Sequence, residues 1–240
     1  MIQQKVEVRF EKGEAARFIS HLDLMRAFQR AVRRADLPVR LTEGFNPRPR
    51  IVFPVALEVG VASLDEVAEI EFTQWTPLEI LKERLARHLP PGLSLIALQE
   101  IPPTRKGQVP LLIRYHLHLK EAGLTCPPPE ALTAFLASPA LPFLRQRETQ
   151  APTTLDLKAS VAAVEAVADG AVAVVIKPIQ TARARPLEVL SLLLAKPIQE
   201  LKTVRVTKVQ MTLGPGKVPT PEAEAAESEP PESPPETEQP

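Results

Sequence analysis

The chain has 240 residues, of which 44% are apolar, and it carries 29 basic and 29 acidic side chains. No apolar run approaches the roughly 18 residues that a membrane-spanning helix requires, so the composition excludes a helical membrane protein and fits one or two globular domains. One cysteine, Cys126, excludes an internal disulfide and a metal site built from several thiolates.

The charges are unevenly distributed. Residues 221–240 contain seven glutamates, six prolines and neither lysine nor arginine, which leaves the rest of the chain about seven charges positive. A segment of this composition lacks the apolar side chains needed to form a core, so we predict a disordered acidic tail over 215–240. The first residues show a strand-like pattern and no signal-peptide features, so we expect a cytoplasmic protein without a membrane partner.

The first half of the chain predicts the element order β-α-β-β-α-β. Alternation at 5–10 indicates a strand, and Ser20 followed by Asp23 indicates the start of a helix over 21–35. Further segments follow in chain order: strands at 39–42, 51–59 and 67–72, a helix from Thr76 through Arg87, and a strand at 93–101.

The second half repeats this order without repeating the sequence. We predict strands at 113–119, 155–161, 171–178 and 204–213, with helices at 129–137 and 185–194. The expected fold is therefore α+β, with tandem ferredoxin-like units at 1–103 and 104–214 and the disordered tail at 215–240. The proline-rich segment 101–110 has the composition of a link between domains.

Residues 17–50 contain eight arginines and no lysine. On a helical wheel, Leu22, Met25, Phe28, Val32 and Ala35 share the side expected to face the core. The opposite side carries four arginines: Arg26, Arg30, Arg33 and Arg34. Because the planar guanidinium suits phosphates and bases, this side is a candidate RNA-binding surface; a solvated helix face with local ion pairs is the alternative.

The segment GFNPRPR at 44–50 is unusual for a surface turn. Gly44 permits backbone conformations closed to other residues, Pro47 and Pro49 stiffen the path, and Asn46 is the only asparagine in the chain. Phe45 could stack on a base while Arg48 and Arg50 bind phosphates. Alternatively, Phe45 anchors the loop in the core and Asn46 caps the turn.

The histidines are less specific. His21, at the first helical position, could act as a general base or could fix the 44–49 loop by hydrogen bonding. His116 and His118 lie two apart on one predicted strand without a third ligand nearby, so we expect no metal. The P-loop, dinucleotide-binding and metalloprotease motifs are absent from the sequence.

The run FISHLDLMRAFQRAVRRADLPV and the following EGFNPRPRIVFPVALEVGVASLDEVAEIEF resemble the radical-SAM-linked protein family, closely over residues 4–100 and more loosely to about 213. In that bacterial family the domain occurs alone or fused behind a B12-binding radical S-adenosylmethionine protein. Relatives commonly have a histidine after the Asn-Pro pair, where this chain has Arg48. The matching positions are Ser20, His21, Leu22, Asp23, Arg33, Arg34, Gly44, Phe45, Asn46, Pro47 and Gly60.

The resemblance implies a radical SAM B12-binding protein as partner. Without a CxxxCxxC motif the chain cannot hold that enzyme's iron–sulfur cluster, so we expect no cofactor and a substrate-handling role. The leading hypothesis is a noncatalytic RNA-binding or substrate-presenting accessory protein in RNA modification or processing. Its RNA contacts would be Arg26, Arg30, Arg33, Arg34, Phe45, Arg48 and Arg50, and its loop-organising residues would be His21, Asp23, Gly44, Asn46 and Pro47.

Two other hypotheses remain open at this point. The tandem architecture with a basic helix also resembles the CRISPR repeat-processing endoribonucleases, which would make His21 the general base of a metal-independent nuclease. The third hypothesis is a protein-interaction module whose basic helix docks onto an acidic surface of the radical SAM partner.

Overall fold

A computed structural model describes residues 2–105, 107–147, 150–179 and 184–215. The described part is a mixed α+β fold with a sheet core, as expected from the sequence. Its helices are α1 His21–Arg34, α2 Leu78–Ala86, α3 Pro129–Ala137, α4 Pro186–Leu194 and α5 Ile198–Leu201. Its strands are β1 Gln4–Lys12, β2 Ile51–Val52, β3 Val61–Phe72, β4 Leu93–Ile101, β5 Gln108–His118, β6 Pro142–Arg147, β7 Gln150–Asp156, β8 Val161–Val167, β9 Ala171–Ile176 and β10 Arg205–Pro215.

One large sheet runs through both halves of the chain. Its strand order is β4-β1-β3-β10-β5-β9-β8, with the short β2 paired to β3, while β6 and β7 form a separate hairpin. The two halves join where β3 and β10 pair in parallel, with Val61 opposite Val206 and Ser63 opposite Lys208. The other pairings in both sheets are antiparallel.

Each half has its own apolar core. In the first, the rings of Phe10, Phe28 and Phe53 contact one another, with centroids 4.7 to 6.2 Å apart. The second centres on strands β5 and β9 and on α4, with Leu117, Val172 and Leu190 fully buried. Among the described residues, no helix is long and apolar enough to cross a membrane.

Helix α1 begins where the sequence predicts. Ser20 is the N-cap, and its hydroxyl accepts the Asp23 amide at 3.1 Å and donates to the Asp23 carboxylate at 2.8 Å. The prediction of its buried face was partly wrong, because Leu22 is 54% exposed. The helix instead buries Leu24, Ala27, Phe28, Ala31 and Val32, so the core face is rotated away from Leu22 and Met25 is only half-buried.

Removing the cap should weaken this helix. Ser20→Ala is expected to lower the free energy of unfolding by about 0.5–2 kcal/mol, because the amide of Asp23 loses its acceptor. The hydroxyl of Ser20 is also the main cause that lowers the pKa of Asp23, so that pKa should rise in the variant. Chemical denaturation and NMR titration measure the two effects; an unchanged Asp23 pKa would contradict this description of the cap.

Several strand predictions need correction. The apolar run 51–59 is a strand only at Ile51–Val52, and 39–42 forms isolated bridges rather than a strand. The predicted strand 155–161 is interrupted: β7 ends at Asp156, a short helical turn follows, and β8 begins at Val161. The sequence also missed the β6–β7 hairpin. Residues 216–240, which hold nearly all of the predicted disordered tail, lie outside the described residues.

Candidate nucleic-acid interface

The solvent-facing side of α1 carries the four arginines that the sequence places there. Arg26, Arg30, Arg33 and Arg34 are all exposed. Arg26 forms an ion pair with Asp23 at 3.3 Å, but the two side chains are 63% and 55% exposed, so this contact is weak and easily exchanged for another anion. Over this stretch of about 12 Å, the helix presents guanidinium groups to solvent.

The loop 42–48 is closed by a short backbone ladder. The amide of Thr42 donates to the carbonyl of Arg48 at 2.8 Å, and the amide of Arg48 donates to the Thr42 hydroxyl at 3.0 Å. At the tip, Gly44 has a φ of +116°, which L-residues rarely adopt. Buried Pro49 fixes the end of the loop through a bridge with Leu41. The loop therefore has a defined path despite its exposure.

Phe45 stands at the tip of this loop with its side chain fully exposed. The alternative in which Phe45 anchors the loop in the core is therefore wrong. Its neighbours Asn46, Pro47 and Arg48 are also exposed. An unburied aromatic ring on the same loop as an exposed arginine is an arrangement suited to stacking on an unpaired base.

The helix and the loop are directly connected. The Nη2 of Arg33, near the C-terminal end of α1, donates to the carbonyl oxygen of Pro47 at 3.2 Å. This contact spans 14 positions of the sequence and brings the arginine side of α1 next to Phe45 and Arg48. We call the combined surface of Arg26, Arg30, Arg33, Arg34, Phe45 and Arg48 the arginine surface.

The arginines of this region differ in how much of their charge is already neutralised. Arg40 and Arg50 both contact the carboxylate of Glu71, at 2.9 and 3.3 Å, so Arg50 is partly committed to a protein partner. Within the described part of the chain, Arg30, Arg34 and Arg48 form no ion pair and no side-chain hydrogen bond. These three cations have the largest capacity to bind an external anion.

The predicted loop-organising residues do not all reach the loop. The ring of His21 packs edge-on against Phe53, with centroids 5.4 Å apart, and so it contacts the segment that follows the loop. The carboxylate of Asp23 binds Ser20 and Arg26, about 15 Å along the helix from Arg33. Gly44 and Pro47 do shape the loop, through a positive φ and through the bond to Arg33.

The remaining histidines lie elsewhere. On β5, burial lowers the pKa of both His116 and His118, and a ring nitrogen of His118 lies 3.2 Å from the Thr207 hydroxyl. His88 caps the end of α2 through the carbonyl of Arg84 at 2.8 Å. Among the residues that the structure describes, no three His, Cys, Asp or Glu side chains are grouped closely enough to hold a metal ion.

Two residues next to α1 were not predicted as part of a site. Phe18 is 66% exposed, and Lys12 is buried with only 1% of its surface accessible. Phe18 lies two residues before the cap at Ser20, and no local pattern distinguishes an exposed ring there from one that packs inward. Lys12 ends an alternating strand and was indistinguishable from a solvent-facing lysine.

A family of uncharacterized proteins conserved in bacteria (DUF2344) matches residues 5–193. The match extends from β1 through most of α4, and it includes the whole arginine surface. No protein of curated function matches the sequence significantly.

Proposed function

We propose that this chain, which belongs to the DUF2344 family of bacterial proteins, is a noncatalytic RNA-binding accessory protein. The observation that carries the proposal is the bond between Arg33 and Pro47, which connects the exposed arginine side of α1 to the loop that carries the exposed ring of Phe45. Phosphate-binding cations next to a stacking platform are the recurring components of surfaces that bind single-stranded nucleic acid.

The roles within the arginine surface follow from exposure and pairing. Arg30, Arg34 and Arg48 would bind phosphates, because within the described residues none of them forms an ion pair with a carboxylate, although the charge of Arg30 does act on Asp23. Phe45 would stack on a base. Arg26 would exchange Asp23 for a phosphate, and Arg33 would bind phosphate while holding the loop. Arg50, already paired with Glu71, would support the base of the loop.

The proposal extends to the fold and to the partner. The strand orders β4-β1-β3-β2 and β10-β5-β9-β8 each suit one ferredoxin-like unit, the second with the β6–β7 hairpin inserted, which supports the tandem interpretation.

The resemblance to radical-SAM-linked proteins supports a radical SAM enzyme as the partner, and this enzyme would modify or process the bound RNA. The competing proposal is that an acidic surface of the partner protein, and not RNA, binds to the arginine surface.

Binding to RNA can be tested with the full chain. Fluorescence anisotropy of labelled bulk tRNA should show saturable binding, and a denaturing gel of the same sample should show the RNA intact. Cleavage that disappears in His21→Ala would instead favour the endoribonuclease hypothesis. A complex with the radical SAM partner that survives ribonuclease treatment, without any RNA binding, would favour the docking module.

Phe45 offers a test of base stacking. Phe45→Ala should change the free energy of unfolding by less than about 0.5 kcal/mol, because the side chain is fully exposed. It should weaken RNA binding about 5- to 100-fold, the range expected from loss of one stacking contact. Trp75, which is 62% exposed outside the arginine surface, provides the control. Equal losses in Phe45→Ala and Trp75→Ala would count against a specific stacking site.

A further inference from the structure

A cleft of about 370 Å³ opens where the two halves of the chain meet. Its walls come from the segment before α1, the start of β3, the start of α4 and the start of β10, and they include Arg17, Phe18, Val59, Leu187 and Lys202. The volume is in the range of small-molecule sites. Apolar side chains line part of it, and cations lie among them.

Phe18 is the most conspicuous residue of this cleft. Its side chain is 66% exposed, and Val59 beside it is 60% exposed. The guanidinium of Arg17 lies over the Phe18 ring at 4.6 Å from the centroid. A large exposed ring that carries a cation on one side is a platform on which a flat aromatic group can stack.

The backbone around Phe18 is held rigidly by a buried lysine. The Nζ of Lys12 donates to the carbonyl oxygens of Arg17 and Ile19, the residues on either side of Phe18, at 3.1 Å each. The amide of Gly60 also donates to the Arg17 carbonyl at 2.9 Å. Burial lowers the pKa of Lys12, which means that keeping its ammonium group charged at this position costs free energy. The two bonds from Lys12 thus fix the backbone on either side of a ring that faces solvent, and such preorganisation favours binding.

The charges of the cleft favour a ligand with one phosphate group over a ligand with several. Arg17 and Arg205 are paired with Glu14 and Glu121, and Glu58 is paired with Arg185. Lys202 is exposed and, within the described residues, forms no ion pair. Lys202 and the exposed ring of Phe18 line the same cleft, and this combination of a cation and an aromatic platform matches an aromatic base that carries a phosphate.

From these observations we propose that the cleft binds a nucleotide, with the base stacked on Phe18 and the phosphate bound by Lys202. The nucleotide has two possible sources: an unpaired nucleotide of the RNA bound along α1, or a free nucleotide. The first source rests on the proposed function, and the second does not. Helix α1 begins three positions after Phe18, so a strand lying along the helix would end near the cleft.

Calorimetric titration of the full chain with adenosine 5′-monophosphate tests the site without RNA. We expect saturable binding at least tenfold tighter than that of ribose 5-phosphate or inorganic phosphate, because only the nucleotide can stack. Phe18→Leu should weaken nucleotide binding about tenfold or more, and Lys202→Glu should weaken it further. Leu22→Ala provides the control, since Leu22 is 54% exposed and lies outside the cleft lining. Absence of saturation at millimolar nucleotide, or equal affinity for all three ligands, would overturn the proposal.

A parallel RNA titration separates this proposal from the function proposed above. If an RNA nucleotide occupies the cleft, Phe18→Leu should weaken RNA binding as well as nucleotide binding. If the chain binds the nucleotide but no RNA, the cleft proposal holds with a free nucleotide as ligand, and the RNA-binding proposal fails. If RNA binds and Phe18→Leu changes neither affinity, the cleft proposal fails and the arginine surface stands.

Discussion

Glu66→Ala is expected to lower the free energy of unfolding by about 3–5 kcal/mol. Glu66 on β3 lies 2.6 Å from the Nζ of Lys208 on β10, and their side chains are 2% and 0% exposed. Burial lowers the pKa of Lys12, and the charge of the same Glu66 carboxylate partly offsets this by raising it. Removing Glu66 therefore leaves two buried ammonium groups without their counter-charge, at the seam where the two halves of the sheet join.

Chemical denaturation at two pH values distinguishes this mechanism from loss of packing. The deficit should be smaller at the higher pH, because burial lowers the pKa of Lys12, and its ammonium loses its proton, and with it the cost of the buried charge, as pH rises toward the ordinary lysine pKa. Glu66→Met/Lys208→Met should recover much of the loss by replacing the pair with apolar groups. Glu165→Ala, which breaks an exposed pair with Arg114, should cost about 1 kcal/mol or less. If Glu66→Ala lowers the free energy of unfolding no more than Glu165→Ala does, the ion pair of Glu66 and Lys208 does not stabilise the junction of β3 and β10.

The second large expected effect is a loss of RNA binding when two arginines of α1 are replaced by glutamate. Arg30→Glu/Arg33→Glu should weaken binding to bulk tRNA about 100-fold or more at moderate salt, because two phosphate contacts are lost and two repulsive charges are introduced. Loss of Arg33 also releases the loop carbonyl of Pro47, so Phe45 would be less firmly placed. Anisotropy titrations of wild type and variant give the ratio, and circular dichroism shows whether α1 is retained.

A matched control is available on α2. Arg84 and Arg87 are exposed near its C-terminal end, so Arg84→Glu/Arg87→Glu makes the same change in net charge at another helix surface. This variant should lower RNA affinity less than about fivefold, through long-range charge alone. Equal losses in the two double variants would show that net charge, and not the arginine surface, accounts for binding.

The helices and several strands were predictable because their signals are local. A cap at Ser20, prolines at the starts of α3 and α4, and clear periodicity placed α1 to α4 within a residue or two, whereas the four-residue α5 was not predicted. The exposure of the arginines on α1 followed from the same periodicity. The contact between Arg33 and Pro47 did not, because a loop path depends on tertiary packing that no local pattern encodes.

The strand errors have identifiable causes. Pro54 has no amide hydrogen, and the 51–59 segment crosses between the cores: Phe53 packs in the first and Leu57 in the second. Its apolar character therefore reflects burial in two places rather than a strand. In 155–161, Asp156 ends the strand, because its carboxylate accepts the amides of Leu141 and Lys158. The alanine-rich β8 gave too weak an alternation to be recognised.

The burial of charged residues on β1 could not be predicted from the sequence either. Lys5, Glu7 and Arg9 alternate with apolar residues on β1, a pattern typical of a solvent-facing side. In the structure Lys5 and Glu7 are buried, because the segment after β4 crosses this face and Arg105 binds Glu7 at 2.6 Å. Which side of a strand is covered depends on a connection distant in sequence, so alternation alone could not show it.

The salt dependence of RNA binding by the full chain is the most direct test of phosphate binding by the arginine surface. If the arginine surface binds phosphates, the logarithm of the association constant should fall linearly with the logarithm of salt concentration. The five phosphate contacts proposed for the arginine surface give, with single-stranded RNA, a slope of about −3.5. A slope near zero, or no binding at low salt, would contradict an arginine surface that binds RNA.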